Sequence, residues 1–507
     1  MATVSRVAQQ PADPVGLRFA SRSGRWVLVA TVLGSAIASI DATVVGIALP
    51  AIGRDFHTGL AALQWVVTAY TLTLAGLLLV AGDLGDRYGR RRIFLIGVVW
   101  FVVASLLGAV ASSAPVLVGA RALQGVGAAL LTPGSLAILE ASFVPEDRSR
   151  AIGAWSGLGG VATAIGPFLG GWLVQAVSWR LIFVINVPVA AAVLAVAWWH
   201  VPESRDPQVT GRVDVAGGLL VTLGLVGLTY GLIEGPSSGW TSPPVLATLV
   251  GGAVALGVFV GRERRTPAPM LPLALFASTQ FTATNVVTFA VYGALGGTLF
   301  LLPIQLQQVS GYSALQAGMS LLPLTAIMLA LSARSGALAT RIGPRLQMSV
   351  GPFLVGTGLA LLARIGPSGD YLTEVLPAVV VFGLGLATTV APLTSTVLAA
   401  APARHAGIAS AVNNDVARAA GLIAVAVLPA AAGITGSAYL HPVQFEDGFR
   451  TAVFISAGLC LIGGVLAAVT ICNPHPTPTI ARPSAHRLHC ALDAPPLPDP
   501  QHATAAG

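Results

Sequence analysis

Apolar residues in this chain gather into fourteen long windows, near positions 26–50, 64–81, 93–111, 115–138, 151–173, 181–199, 215–233, 244–261, 281–302, 316–338, 348–364, 375–398, 406–431 and 450–472. Each is long enough, at about 1.5 Å of rise per residue, to cross a hydrocarbon layer of roughly 30 Å as a helix. The pattern predicts an all-α membrane protein with fourteen transmembrane helices.

Composition agrees with the pattern. Of 507 residues, 55% are apolar and only 9% charged, too few to cover a water-soluble surface on a chain this long. The formal net charge of +7 suggests nucleic acid until the arginines are located. An even number of spans puts both ends on one side. Placing that side in the cytoplasm gathers 20 arginines there, among them Arg25, Arg90, Arg91, Arg92, Arg264 and Arg265, against four outside, Arg54, Arg180, Arg364 and Arg450. Basic loops resist translocation, so the imbalance sets the orientation. The expected partners are therefore membrane lipids and not nucleic acid, for a monomeric, multi-pass protein of the cell (plasma) membrane with both termini cytoplasmic. All basic residues are arginine, which suits a GC-rich bacterial genome.

The run GDLGDRYGRRR, Gly82 to Arg92, returns as GALATRIGPR, Gly336 to Arg345, with Gly82/Gly336, Leu84/Leu338, Arg87/Arg341, Gly89/Gly343 and Arg91/Arg345 in register. The copies lie between spans 2 and 3 and between spans 10 and 11. A duplicated six-helix unit follows, with spans 7 and 8 inserted, a 6+2+6 arrangement typical of alternating halves. The expected organisation is a cytoplasmic segment 1–25, a six-helix bundle 26–200, a linker 201–214, two inserted helices 215–261, a linker 262–280, a second bundle 281–472 and a disordered cytoplasmic tail 473–507. The segment before Trp26 is polar and the first apolar run too long for a signal core, so no cleavable signal is expected. The tail is rich in Pro, His and Ala, which bury too little to fold. Its His486, His489 and Cys490 fall short of a four-ligand site, and three cysteines make no disulfide framework. No metal and no cofactor are expected.

Four motifs occur in order on successive spans: DATVVGIALP (Asp41 to Pro50), GDLGDRYGRRR, RALQGVGAA (Arg121 to Ala129) and GPFLGG (Gly166 to Gly171). Together they resemble the fourteen-helix drug:proton antiporters of the major facilitator superfamily, the multidrug efflux permeases of the quaternary-ammonium-resistance type, over Trp26 to Cys472. The first motif has Gly46 where the family usually has Asn, and Ala162 stands where a further Gly is common before the last. The resemblance implies the major facilitator fold, a loop that gates the inner face through Gly82, Asp86, Arg87, Gly89 and Arg90, and a fourth-helix motif associated with proton coupling. It also implies a role for Gly166, Pro167, Gly170 and Gly171 in export and in sealing the cavity. The function implied is proton-coupled export of hydrophobic drugs or antibiotics, cationic ones among them. A dedicated exporter of an endogenous antibiotic, siderophore or lipid is the alternative, and a proton-coupled nutrient importer shares the fold. No constellation for a membrane enzyme occurs.

Charge at bilayer depth selects the candidate residues. A buried ionised side chain costs roughly 2.5–3.5 kcal/mol on the lenient scale, so Asp41, Arg121, Asp415 and Arg418 should line a wet cavity or pair. Counting along the helices puts Asp41 about 24 Å from the inner face and Arg121 about 9 Å below the outer face, similar depths in a layer of roughly 30 Å. Asp41 is expected to be a proton site modulated by Arg121, or else half of a static pair. Asp415 lies near the midplane, either as a second proton or cation site or tied locally to Arg418 three residues on, with Asn414 beside it. Phe281, Asn285, Phe289 and Tyr292 fall within about 80° of arc on span 9, an aromatic face for flat substrates or ordinary packing. Gln64, Thr68, Thr71, Gln124 and Trp155 complete the expected substrate cavity. Asp86 is expected to accept hydrogen bonds at the start of span 13 and tie the halves together; its counterpart Thr340 makes that latch one-sided.

Overall fold

A computed structural model describes residues 16–206, 213–266, 269–402, 406–436, 439 and 441–473. The described residues form fourteen membrane-length helices: α1 Arg22–Phe56, α2 Leu60–Tyr88, α3 Arg90–Ala109, α4 Ala114–Ser142, α5 Pro145–Ala176, α6 Leu181–His200, α7 Val215–Ser238, α8 Pro243–Glu263, α9 Thr279–Val309, α10 Ala314–Ile342, α11 Pro344–Leu362, α12 Tyr371–Ala399, α13 Gly407–Ala431 and α14 Pro442–Thr470. The described residues contain no β-strand, only an isolated bridge between Leu17 and Phe143.

Prolines explain where the helices depart from regularity, because each lacks the N–H that would bond four residues back. The α-helical run of α6 breaks at Ile185, three residues before Pro188, and that of α10 breaks at Leu321, two before Pro323. A wider turn at Tyr371–Val375 precedes Pro377, and a similar one at Gln305–Val309 follows Pro303. Both copies of the basic turn pivot on a glycine in the left-handed half of backbone space, Gly89 at φ 115° and Gly343 at φ 83°, where a Cβ would be strained.

The packing repeats with the sequence. Helix α1 packs on α5 and α6, α4 on α2 and α3, and α3 on α6; the same neighbours recur as α9 on α13 and α14, α12 on α10 and α11, and α11 on α14. Small residues set these distances, since helices in lipid associate through close backbone approach. A Cβ on Gly127 of α4 would stand 2.7 Å from the Phe101 amide nitrogen of α3, and one on Gly97 of α3 2.9 Å from the Leu131 nitrogen.

Helices α7 and α8 have no counterpart. They pack on each other, and α7 lies antiparallel along α2, with Gly76 seated on Thr222 and Gly218 on Val80. Trp65 of α2 donates to Glu234 of α7 at 3.2 Å, and its ring meets Tyr230 at 6.1 Å. Helix α7 also touches α13, so the inserted pair flanks the place where the two bundles meet. Asp214 caps α7 by accepting from the Gly217 amide and pairs with Arg262 at 3.0 Å. Burial opposes the Asp214 charge, but those two donors outweigh it and hold its carboxyl below the usual carboxylate range.

Gly127→Ala is expected to destabilise the protein by about 1–3 kcal/mol, because the crowding atoms are backbone. The check is a lowered thermal unfolding midpoint in detergent. Gly159→Ala, where an added Cβ meets no atom within 4 Å, should leave the midpoint unchanged or raise it.

Candidate proton-coupling and substrate site

The charged centre of the first bundle is a closed network. Asp41 of α1 is 1% exposed and so is Arg121 of α4; the carboxylate accepts from the guanidinium in a short ion pair. Gln124, one turn along α4, donates to Asp41 at 3.1 Å and accepts from Arg121 at 2.8 Å. Asn186 of α6 donates to Asp41 at 3.2 Å, and Ser105 of α3 accepts from both Gln124 (2.8 Å) and Asn186 (3.3 Å). From α2, the Val66 carbonyl accepts from Arg121 at 3.1 Å and the Tyr70 ring lies 4.4 Å beneath the guanidinium. Five helices thus meet on one ion pair.

The arrangement has a chemical consequence. Three donors, from Arg121, Gln124 and Asn186, point at Asp41 and no acceptor does. A proton arriving on Asp41 would turn an acceptor into a donor facing donors, so protonation requires at least one partner to turn away. Of the two expectations for these charges, a wet lining or a pair, the structure shows the pair. The pairing of depths read from the sequence holds; Ser105, Asn186 and Tyr70 were missed. Only the regularity of a polar residue amid apolar neighbours on spans 2, 3 and 6 could have flagged them.

Asp415 and Arg418 on α13 behave differently. The two make no ion pair, which corrects the expectation of a local helical bond; Asp415 Oδ1 and Arg418 Nε are both buried without a hydrogen-bond partner. Three residues advance a helix by 300°, and these side chains do not close the gap. Asn414 is exposed and bonds back to Ser410 at 2.9 Å.

The aromatic stripe on α9 is divided rather than shared. Phe281 is fully buried in an edge-on contact with Phe276 at 5.3 Å, and Asn285 is buried, accepting from Asn413 of α13, which also donates to Thr288. Phe289 is 40% exposed and Tyr292 half-buried. The face is accessible only in its second half, because Phe281 clusters with Leu275, Val397 and Val412 and Asn285 is taken by Asn413 of α13. Trp155 of α5 packs on the first bundle and donates to Ser35 of α1 at 3.0 Å.

Gln64 and Thr68 are also relocated. Both are buried, and the Gln64 amide crosses between the bundles to the Val425 carbonyl at 2.6 Å and the Ala426 carbonyl at 3.3 Å. Pro429 explains the acceptor: it has no N–H to give Val425, four residues earlier, so that carbonyl is free for a cross-bundle donor. Thr68 bonds to the Gln64 carbonyl. A second glutamine mirrors the first, Gln307 of α9 donating to the Ile47 carbonyl of α1, near Pro50, at 3.0 Å.

The GPFLGG run completes the seam. Gly166 sits on Thr43 and Gly170 on Val44 of α1, while Gly171 sits on the Ala314 carbonyl of α10 and the Pro167 carbonyl faces Gly318. Gln175 accepts from the Leu315 amide at 3.3 Å. All these cross-bundle contacts lie toward the end of the molecule opposite the basic turns. At the basic end, Gly153, Gly157, Gly159 and Gly160 of α5 and Gly407 of α13 have no neighbour within 4 Å of an added Cβ. The bundles are joined at one end and parted at the other.

At that parted end Asp86 accepts from Arg90 at 2.8 Å, Arg87 pairs with Asp83 at 2.7 Å, and Gly82 lies near Pro133 of α4. The expected tie from Asp86 to the start of span 13 falls partly on residues 403–405, outside the described residues. Glu203, in the linker after α6, caps α3 instead by accepting from the Arg91 and Arg92 amides at 3.1 and 3.2 Å.

Comparison with known proteins supplies the relatives. A family model described as Major Facilitator Superfamily matches residues 31–426. The chain is similar to the tetracenomycin C resistance and export protein of Streptomyces glaucescens, 37% identical over 84% of this chain and 78% of that one. It is 36% identical to a puromycin resistance protein of Streptomyces alboniger over 88% and 91%, and 37% identical to a multidrug resistance protein of Mycobacterium tuberculosis over 83% and 78%. Its fold is similar to the crystal structures of a peptide transporter (TM-score 0.68, 14% identity, 90% of this chain and 96% of that one) and of a bacterial homologue of the lysosomal transporter Spinster (0.63, 16%, 89% and 97%).

Removing one cross-bundle amide should shift the balance between closed and open far ends. A side-chain hydrogen bond in a membrane averages about 0.6 kcal/mol, so Gln64→Leu should favour separation roughly threefold. Gln64→Leu with Gln307→Leu should do so by roughly the square of that. Distances between spin labels at the far ends of α2 and α13 report the populations.

Proposed function

Because the chain belongs to the major facilitator superfamily, we propose that this transporter is a proton-driven exporter of small hydrophobic drugs or antibiotics, with its basic end and both termini in the cytoplasm of a bacterium. Relatives named for drug resistance and export support the direction and the substrate class. The observation that carries the proton coupling is the Asp41 network: an ionised acid at bilayer depth, surrounded by donors alone, on a helix that meets both bundles.

In the cycle proposed, Asp41 holds Arg121 while the cytoplasmic end stands open to substrate. When the outer end opens, a proton reaches Asp41, the pair breaks, and Arg121 retains Val66 and Gln124 as acceptors. Release of that proton inward re-forms the pair. Each inward proton contributes roughly 2.3 kcal/mol per 100 mV of potential, before any pH gradient. Asp415 and Arg418, with unsatisfied polar atoms, are the groups left to meet a substrate, together with Asn414 on the same helix and Phe289 and Tyr292 on α9, which packs against it. Asp86 is released from Arg90 to latch the basic end when the outer end opens. A dedicated exporter of one compound is the second reading, favoured by a relative named for the export of a single antibiotic.

Uptake into inverted vesicles, with and without an uncoupler, tests the whole reading across cationic, neutral and anionic hydrophobic compounds. Uncoupler-sensitive uptake is expected; uptake indifferent to the proton gradient would overturn it. Asp41→Asn should abolish gradient-driven accumulation by at least about tenfold while leaving substrate affinity within about threefold, since breaking a buried pair affects the cycle and not the substrate's own contacts. Asp415→Asn should lower transport of cations and spare neutral compounds. Equal loss for both would assign Asp415 to coupling instead.

A further inference from the structure

An apolar groove of about 610 Å³ runs along the outer flank of the first bundle between α3 and α6. Ile96, Val99, Trp100 and Val103 line one wall, Trp198 and Trp199 much of the other. Neither helix packs against the second bundle, so the groove is separate from the transport path.

Its two ends differ. Helix α3 begins at the basic face where α6 ends, so Trp198 and Trp199, 67% and 76% exposed, stand at the same level as the start of α3. Arg92 lies one turn before Ile96 and therefore above the groove on the same face. Its neighbours are engaged, Arg90 by Asp86 and Arg91 by Glu203, and Glu203 also takes the Arg92 amide. The Arg92 guanidinium is exposed and has no acidic partner among the described residues; Arg205, in the linker that bonds to the Arg90 amide through Ser204, is likewise exposed and unpaired. From Arg92 to Val103 the helix rises about 17 Å, close to half of a hydrocarbon layer of roughly 30 Å.

A dry trough one leaflet deep, rimmed by tryptophans at interfacial level and by unpaired cations, matches an amphipath whose charged head is anionic. We propose that this groove is a binding site for an anionic phospholipid of the leaflet at the basic face, its acyl chain along Val99 and Trp100 and its phosphate on Arg92. The turn at Gly89, three residues before Arg92, is thereby anchored to that leaflet.

The test uses the full-length protein in phosphatidylcholine nanodiscs carrying a minor fraction of brominated phosphatidylglycerol or, separately, brominated phosphatidylcholine, with tryptophan quenching as readout. About fivefold stronger enrichment of the brominated phosphatidylglycerol is expected, the factor one arginine near an anionic surface supplies. The excess should vanish in Trp100→Phe/Trp198→Phe/Trp199→Phe, which removes the groove's reporters, and in Arg92→Gln, which removes the cation. Equal quenching by both lipids in the wild type overturns the proposal, as does an excess that survives either variant. If Arg92→Gln does not fold, salt serves instead: a preference unchanged at high ionic strength would exclude a headgroup held by charge. Displacement of the excess by soluble glycerol phosphate would mean a free-phosphate site and would also overturn it.

Discussion

An ionised carboxylate can persist inside a lipid-embedded bundle only if protein groups replace the water it has lost, and Asp41 is where this chain meets that condition. Arg121, Gln124 and Asn186 supply the replacement, and through them α1, α4 and α6 are fixed to one another, with α3 and α2 drawn in by Ser105, Val66 and Tyr70. In the second bundle α9 and α13 meet through the neutral set Asn285, Asn413 and Thr288, while Asp415 and Arg418 on α13 keep buried polar atoms without partners.

The boundary between the bundles follows a different economy. It is made of glutamine amides that reach backbone carbonyls of the other bundle, one of them left free by Pro429, and of glycines that let backbones touch. Each contact is weak in a membrane, about 0.6 kcal/mol for a hydrogen bond. Such a seam can part and re-form, whereas the Asp41 pair within one bundle resists rupture unless its charge is neutralised. In the cycle proposed above, a rigid charged centre beside a weak seam is what would let a single proton act on the relative placement of whole bundles.

The inserted helices add an asymmetry that the repeat lacks. Helix α7 is dovetailed to α2 through Gly76 and Gly218 and held by Trp65 and Glu234, so it belongs mechanically to the first bundle while touching α13 of the second. It covers the α2/α13 side of the interface. The α5/α10 side, where GPFLGG meets Gly318, is left without a covering helix.

Much of this was legible in the linear chain. Fourteen spans follow from hydrophobic length alone, and the repeated basic turn locates the insert because one glycine with positive φ is needed at each copy. Asp41 and Arg121 could be paired from depth, since helical rise converts residue count into distance through the bilayer. The Asp415–Arg418 pair, one of two readings that a spacing of three allowed, does not form, because spacing fixes which residues can meet but not which way their side chains turn. The stripe on α9, open to a substrate face or to ordinary packing, is packed at Phe281 and Asn285 and accessible at Phe289: periodicity defines a face, and only neighbours such as α13 decide how much of it is covered. Gln64 looked like a cavity residue because nothing local reveals that Pro429, 365 positions away, has freed a carbonyl opposite it. What the sequence determined by itself was helix number, membrane depth and the duplication, all properties of one helix in one solvent. Which polar groups find partners was decided only when helices distant in sequence came to share a seam, because a hydrogen bond needs two surfaces and the chain writes down one at a time.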